Sequence, residues 1–138
     1  MKRLLVAVLA GVIALPLLAA DKPAKPLHVS KGSEVQLTDY VVKGKTTIFD
    51  FYSEYCGPCV RVAPALEKLH QQRADIVVVK VDINRPGQRG IDWRSPVARQ
   101  YGLKSIPHFK VYGPDGKLLA EDNDDSRKAS RMVHGMLR

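Results

Sequence analysis

The chain has 138 residues, with 22 lysines and arginines against 14 aspartates and glutamates, which gives a formal net charge of +8. This length suits a single domain of ordinary size together with a short leader. The basic residues are scattered and interleaved with acidic ones, which is typical of a solvated surface rather than a nucleic-acid-binding face, so we expect no nucleic-acid partner.

Residues 1–20 have the pattern of an export signal. A short basic head precedes an apolar run over residues 4–20, and Ala20 ends the run. The run is longer than many signal cores and slightly short for a comfortable membrane span. It therefore predicts either a signal peptide cleaved after Ala20 or an uncleaved anchor, and export in both cases. Residues 21–27 are rich in proline and lysine and predict an extended, mobile tether, and residues 28–138 predict the folded domain.

The first half of the domain alternates between strand and helix patterns. A short β-like piece covers Val35–Leu37, and Thr38-Asp39 opens what we expect to be one helical turn. The segment Thr46–Ser53 is β-branched, aromatic and nearly continuously apolar, which predicts a buried strand. Apolar residues then recur at helical spacing from Cys56 to about Gln72, and Pro64 inside this stretch predicts a kinked helix.

The second half continues the alternation and ends in a hairpin and a helix. Asp75–Ile83 predicts a second buried strand, and Ser95-Pro96 is a cap followed by proline that opens a short helix. Two further strands, Pro107–Tyr112 and Lys117–Glu121, flank a four-residue turn, and an acidic run precedes a last amphipathic helix. The order β-α-β-α-β-α-β-β-α predicts an α/β fold with a mixed central sheet flanked by helices on both faces.

Cys56 and Cys59 are the only cysteines of the chain, and Gly57 and Pro58 separate them. Outside the cytoplasm such a pair is either a permanent disulfide or a catalyst. A zinc site needs four ligands, and the histidines of the sequence are not paired at ligand spacing, so we expect no metal and no other cofactor. A purely structural disulfide would close a very small loop and constrain the unfolded chain little. The spacing therefore favours redox catalysis.

Cys56 lies where a buried strand ends and a helix begins. The unpaired backbone N–H groups and the helix dipole at this point lower the pKa of a thiol, and the thiolate is the form that attacks disulfides. Gly57 lets the backbone turn, and Pro58 suits the first helical turn because its missing N–H costs nothing there. Cys56 is therefore the predicted nucleophile, which forms a mixed disulfide with the substrate, and Cys59 is the predicted resolving thiol.

Two charged residues interrupt the buried strands. Asp50 lies within the first strand, six residues before Cys56, and Lys80 lies within the second. Burial raises the pKa of a carboxyl group, which suits Asp50 to act as the base that deprotonates Cys59, and Lys80 would moderate that rise. The alternative is that the two residues form only a buried ion pair. We favour the catalytic role because a CxxC motif follows the strand directly.

From about Lys43 to its C-terminus, the sequence resembles the thioredoxin family. The most specific part of the resemblance is FDFYSEYCGPC (Phe49–Cys59). It extends to Pro64 in the helix and to the segments VVKVDI, QYGLKSIP and GPDGK further along the chain. The resemblance implies a thioredoxin-like fold for this part of the chain.

The resemblance also implies roles for the site residues. It makes Cys56 the nucleophile, Cys59 the resolving thiol, and Asp50 the buried carboxylate with Lys80 beside it. It implies that the proline after Ile106 is cis, although composition alone predicts a trans bond. The neighbouring backbone then receives the substrate chain. The substrate-binding residues implied in this way are Ile106, Pro107 and His108.

Three features depart from the family pattern. Tyr55, in the active-site loop, stands where tryptophan is usual, and His108 stands where threonine is usual. An imidazole near the disulfide would tune Cys56 with pH, and the alternative is a half-exposed strand residue without that role. The segment from Asn84 to Arg94 is expanded, either as a partner-contact loop or as a surface elaboration.

These features together predict an exported, monomeric thiol–disulfide oxidoreductase that acts on protein disulfides, in the periplasm of a Gram-negative bacterium. Gly57-Pro58 resembles the reducing members of the family, whereas strong oxidants carry Pro-His. A reductant outside the cytoplasm needs electrons from across the membrane, by resemblance from an integral-membrane thiol transporter. The alternatives are a disulfide oxidase or isomerase of the same fold and a non-enzymatic thioredoxin-fold binding module.

Overall fold

A computed structural model describes residues 22–123 and 125–138. Its strands are β1 (Leu27–Val29), β2 (Thr46–Tyr52), β3 (Ile76–Asp82), β4 (His108–Tyr112) and β5 (Leu118–Glu121). Its helices are a 3₁₀ turn (Leu37–Tyr40), α1 (Gly57–Gln72), α2 (Pro96–Gln100) and α3 (Lys128–Met136).

The five strands form one sheet in the order β1-β3-β2-β4-β5. β1 and β2 both pair with β3 in parallel, whereas β4 pairs antiparallel with β2 and with β5. β2 therefore lies in the centre of the sheet with a hydrogen-bonded ladder along each edge. This position explains why its sequence is nearly continuously apolar. The predicted mixed sheet is confirmed.

Helices cover both faces of the sheet, as predicted. On one face, Phe49 and Phe51 pack with the residues of α2 and of the 3₁₀ turn. On the other face, Ile48 and Val78 pack with α1 and α3. Successive side chains of a strand point to opposite faces, so Asp50 lies on the same face as Ile48, which is the face covered by α1.

The prediction of the first strand was wrong. The β-like piece at Val35–Leu37 stays outside the sheet, and Leu27–Val29 pairs with Val79–Val81 in its place. Val35 and Leu37 are nevertheless buried in the core. The backbone of Val35 exchanges hydrogen bonds with the side-chain amide of Gln100, at 2.9 and 3.1 Å, instead of joining a strand. Leu27, predicted to belong to the tether, is the first residue of the sheet.

The segment before β1, predicted to be a mobile tether, lies against the end of α1. His70 Nε2 donates a 2.7 Å hydrogen bond to the carbonyl of Pro23, and the ammonium of Lys22 donates to the carbonyls of His70 and Arg73. His70 is fully buried, and its Nδ1 accepts a 3.0 Å bond from the Val78 N–H. Because Nδ1 accepts, Nε2 carries the hydrogen, and the ring is held as one neutral tautomer. Burial lowers the pKa of His70 accordingly.

The cap residue predicted at the start of α2 is confirmed. At α3, the structure shows which residue of the predicted acidic run contacts the helix. The hydroxyl of Ser95 accepts a 3.3 Å bond from the Ala98 N–H, as a cap residue should. In the acidic run before α3, the carboxylate of Asp122 accepts from the Ser130 N–H at 2.8 Å and from the Phe109 N–H at 3.1 Å. This one side chain therefore ties the start of α3 to β4.

We expect His70→Ala to lower the free energy of unfolding by about 2–4 kcal/mol, because it leaves a cavity and an unpaired Val78 N–H. Urea denaturation at pH 8 measures the change. The folded state lowers the pKa of His70, so its contribution is present above the unfolded value of about 6.5 and is lost as the pH falls.

The matched control is His134→Ala at an exposed position of α3, which should change the free energy of unfolding by less than about 0.5 kcal/mol. Equal destabilisation by the two substitutions would contradict the structural role of His70.

Candidate active site

Cys56 and Cys59 form a disulfide at the N-terminus of α1, with their Cα atoms 5.2 Å apart. Cys56 is the N-cap residue of the helix, and its Sγ accepts a 3.2 Å hydrogen bond from the Cys59 backbone N–H. Both side chains are buried, with 3% and 1% of their surface exposed. A thiolate at Cys56 would therefore face the positive end of the helix dipole and one oriented N–H, as the sequence predicts.

The residues around the cysteines form an exposed rim. Tyr55, Gly57 and Pro58 are all exposed, and Pro58 lies in the first helical turn, where it needs no N–H partner. Gly57 does not have the positive φ of a turn glycine, because it is already the first residue of the helix. The expectation that Gly57 makes a turn is therefore corrected. A Cβ at this position would approach the Nη1 of Arg61 to 3.3 Å.

The backbone before β4 borders Cys56. The Ile106–Pro107 peptide bond is cis, as the family resemblance implies. The carbonyl oxygen of Ile106 lies 3.6 Å from Cys56 Sγ. Arg127, which no sequence motif marks, donates a 3.0 Å hydrogen bond from Nη2 to the Pro107 carbonyl and so supports this segment. Ile106 and Pro107 are half-buried, so a substrate chain has access to them.

His108 is buried rather than half-exposed, with 3% of its surface accessible. Its ring meets that of Phe51 edge-on, with the centroids 5.5 Å apart, and its buried Nε2 finds no hydrogen-bond partner among the described residues. This burial lowers the pKa of His108 to about 4. The imidazole is therefore neutral near pH 7, and it would gain the charge expected to tune Cys56 only in acid.

Asp50 and Lys80 lie opposite each other on β2 and β3. Lys80 Nζ is 2.5 Å from Asp50 Oδ2; Asp50 is fully buried and Lys80 is 6% exposed. The second carboxylate oxygen, Oδ1, is buried and has no hydrogen-bond partner in the part of the chain that the structure describes. Burial raises the pKa of Asp50, and the charge and hydrogen bond of Lys80 act in the opposite direction. The residues therefore form the ion pair and also leave one oxygen available to accept a proton.

A surface pocket of about 330 Å³ connects Cys59 with Lys80 and is open to solvent. Two of its residues, His28 and Tyr52, were not singled out in the sequence. Lys80 Nζ lies 4.5 Å from the centroid of the Tyr52 ring, and the Tyr52 hydroxyl lies 2.9 Å from His28 Nδ1. No motif marks His28, because it reaches the site only through the pairing of β1 with β3.

The expanded segment that begins at Asn84 lines a second pocket, of about 570 Å³, together with Tyr55. Arg85 Nε lies 2.7 Å from Oδ2 of the buried Asp92, and Asn84 Nδ2 donates a 2.7 Å bond to the carbonyl of Gly90. These bonds hold the loop in one conformation on the rim of the active site.

Within residues 22–123 and 125–138, no helix is long and apolar enough to cross a membrane. The same residues place no group of three or more histidine, cysteine, aspartate or glutamate side chains where they could hold a metal ion. The apolar run over residues 4–20 lies outside the described residues.

Comparison with known proteins identifies the family. The family model of thioredoxin matches residues 28–138. The chain belongs to the thioredoxin family. The chloroplastic F-type thioredoxin of Pisum sativum is 34% identical over 77 residues, which cover 56% of this chain and 38% of that protein. Thioredoxin 1 of Plasmodium falciparum (isolate 3D7) is 32% identical over 98 residues, which cover 70% of this chain and 86% of that protein.

Solved structures agree with this assignment. A point mutant of the thioredoxin from Halobacterium salinarum NRC-1 is 25% identical, with a TM-score of 0.56 over 86% of this chain and 96% of that one. The chain spans less than two fifths of the length of the F-type thioredoxins that it matches. Family membership confirms the predicted fold. Residues 28–138 are therefore a thioredoxin-family domain, and this domain carries the Cys56–Cys59 disulfide.

We expect Lys80→Met to slow the step in which Cys59 resolves a mixed disulfide on Cys56, and to move its pH dependence upward. The substitution removes the charge and the hydrogen bond that lower the pKa of Asp50, so that pKa rises further. Because the base acts in its ionised form, the rate should fall roughly tenfold for each unit by which the pKa exceeds the assay pH. Single-turnover kinetics between pH 5 and 9 measure the shift.

Lys110→Met is the matched control, because Lys110 is a similarly buried lysine of β4 that pairs with Glu121. It should leave the pH profile of resolution unchanged. Asp50→Asn should slow resolution more than the first attack by Cys56, and equal slowing of both steps would argue against the base role.

Proposed function

We propose that the protein is an exported, monomeric thiol–disulfide oxidoreductase that reduces disulfides in protein substrates. The observation that carries the proposal is the place of the Cys56–Cys59 disulfide. It caps α1, borders the Ile106 carbonyl at 3.6 Å, and shares an open pocket with Lys80 of the buried Asp50–Lys80 pair. A nucleophile, a resolving thiol, a proton acceptor and a backbone segment for the substrate chain therefore lie together.

The reaction consists of two thiol–disulfide exchanges. The Cys56 thiolate attacks one sulfur of the substrate disulfide, which forms a mixed disulfide and releases the other sulfur as a thiolate. Asp50 takes the proton of the Cys59 thiol. The Cys59 thiolate then attacks Cys56 Sγ, which forms the Cys56–Cys59 disulfide and releases the second substrate sulfur. The substrate gains two electrons from the dithiol of the protein, and its two released thiolates take their protons from water.

The surroundings of Cys56 support the reducing direction. Gly57 has no side chain and Pro58 has no hydrogen-bond donor, so neither offers a side-chain donor to a Cys56 thiolate. His108 is uncharged near pH 7, because burial lowers its pKa to about 4. Arg61 is exposed, and water and salt screen its charge. A reduced form with little added stabilisation gives up its electrons readily, whereas strong oxidants stabilise their reduced form.

The reduction potential tests the direction. Equilibration with glutathione should place it near the value typical of thioredoxins, about −270 mV, and far from the strong-oxidant end at about −120 mV. A value at the oxidant end would reverse the proposed direction.

Reduction of insulin disulfides by the wild-type protein should be lost in Cys56→Ser, whereas Cys59→Ser should accumulate the mixed disulfide. An inactive wild-type protein would favour a binding module, and a fully active Cys56→Ser variant would exclude the mechanism.

The proposal of export rests on the apolar run over residues 4–20 and its basic head. On the outer side of a bacterial inner membrane, the domain has no contact with cytosolic reductases. Its disulfide then has to be reduced by a donor that passes electrons through the membrane. An integral-membrane thiol transporter is the class of partner that meets this requirement, in the periplasm of a Gram-negative bacterium.

Expression of the full chain in a Gram-negative host tests export. We expect the protein in the periplasm, with Asp21 as its N-terminus when cleavage follows Ala20, or in the membrane fraction when residues 4–20 remain as an anchor. The control is a chain without residues 1–20, which should remain in the cytoplasm. Recovery of the full chain from the cytoplasm would contradict export.

A further inference from the structure

We propose that His28 is the exchange point through which the proton taken from Cys59 passes to solvent. The proposal rests on the base role of Asp50. Asp50 is fully buried, and its charged partner, Lys80, is itself 6% exposed. A base in this position accepts one proton and then has to lose it before the next turnover. Its proton therefore needs a route through neighbouring groups.

The sheet register supplies that route. His28 on β1 lies directly opposite Lys80 on β3, and Lys80 lies directly opposite Asp50 on β2. Neighbouring strands are about 4.8 Å apart, and residues in register point to the same face. The three side chains therefore form one row across the sheet. The row begins at an exposed residue of an edge strand and ends at the buried carboxylate.

Tyr52 contacts two members of the row, Lys80 and His28. Its ring lies 4.5 Å from Lys80 Nζ, and its hydroxyl lies 2.9 Å from His28 Nδ1. Burial raises the pKa of Tyr52 to about 12, so the hydroxyl keeps its hydrogen near neutral pH. A hydroxyl donates to a neutral imidazole nitrogen and accepts from a protonated one. The contact with His28 therefore persists whether or not the imidazole carries the extra proton.

His28, Tyr52, Lys80 and Cys59 all line the pocket of about 330 Å³ that is open to solvent. Histidine is the side chain suited to exchange protons with water in the neutral range. Charged groups of both signs face His28 from the elements around it. These groups are Lys25 before β1, Glu54 after β2, Glu67 on α1, and Lys80 and Asp82 on β3.

The proton transfers balance as follows. The Cys59 thiol gives its proton to Asp50 Oδ1, and the resulting thiolate attacks Cys56. The Lys80 ammonium passes a proton through pocket water to His28 and takes the proton held by Asp50. The His28 imidazolium then releases a proton to solvent. One proton has moved from Cys59 to water, the three relay groups return to their starting states, and no electrons move in these transfers.

A single turnover of a symmetric peptide disulfide tests the relay, with rapid quenching and mass spectrometry to follow the mixed disulfide on Cys56. We expect His28→Asn to slow its resolution about tenfold at pH 7, which is less than the roughly 10²–10⁴-fold of a direct general acid or base, and to leave the first attack within about twofold. Free imidazole should restore part of the rate. Tyr52→Phe keeps the ring beside Lys80 but loses the hydroxyl, so it should slow resolution in the same direction. His134→Asn on α3 is the control and should change neither step.

The outcomes separate the relay from the base role. If Asp50→Asn slows resolution while His28→Asn leaves its rate and pH profile unchanged, the relay is wrong and the base role stands. If Asp50→Asn also has no effect, the base role fails and the relay fails with it. A slow His28→Asn variant with an unchanged pH profile and no rescue by imidazole would mean that His28 only supports the structure, which would overturn the relay.

Discussion

The buried pair of Asp50 and Lys80 is the interaction on which the rest of the site depends. Every residue of β2 from Thr47 to Phe51 is buried, so a carboxylate there has no bulk water to stabilise it. One ammonium at 2.5 Å stabilises its charge, and its other oxygen has no hydrogen-bond partner within the described chain. Removing one member of such a pair typically costs about 3–5 kcal/mol, because the remaining charge is left buried without a partner. The same burial raises the pKa of Asp50, which makes a structural ion pair available for proton transfer.

The sequence predicted the parts of the fold whose signals are local. β2 and β3 are runs of β-branched and aromatic residues. A charge inside such a run has to be paired, so the pattern indicates Asp50 and Lys80 as partners. β1 carries no such signal. It has three residues, of which Leu27 and His28 are exposed, and it is a strand because the edge of β3 offers it partners. Val35–Leu37 has the apolar spacing of a strand, but Val35 and Leu37 are buried in the core without a ladder, and Leu37 begins the 3₁₀ turn.

Histidines show why the rest of the site could not be predicted. His70, His108 and His28 have the same kind of side chain. Contacts with distant segments nevertheless give each of them a different burial and different partners. A carbonyl 47 positions upstream and the N–H of Val78 hold His70 in one tautomer. Burial beside Phe51 lowers the pKa of His108 to about 4. His28 stays exposed and meets the Tyr52 hydroxyl. Each state depends on packing across the sheet, which spacing along the chain does not report.

In the proposed mechanism, the substrate and the proton use opposite sides of the disulfide, and the strand order separates those sides. β4 lies on one side of β2 and follows the Ile106 backbone at Cys56, whereas β3 and β1 lie on the other side and carry Lys80 and His28. A substrate chain bound along the β4 side therefore leaves the pocket at Cys59 open to water. If both used one side, the substrate would close the proton route when resolution requires it. The route serves oxidation as well as reduction, since the same proton returns along it. The direction of electron flow is then set by how the surroundings of Cys56 stabilise its thiolate, not by the proton path.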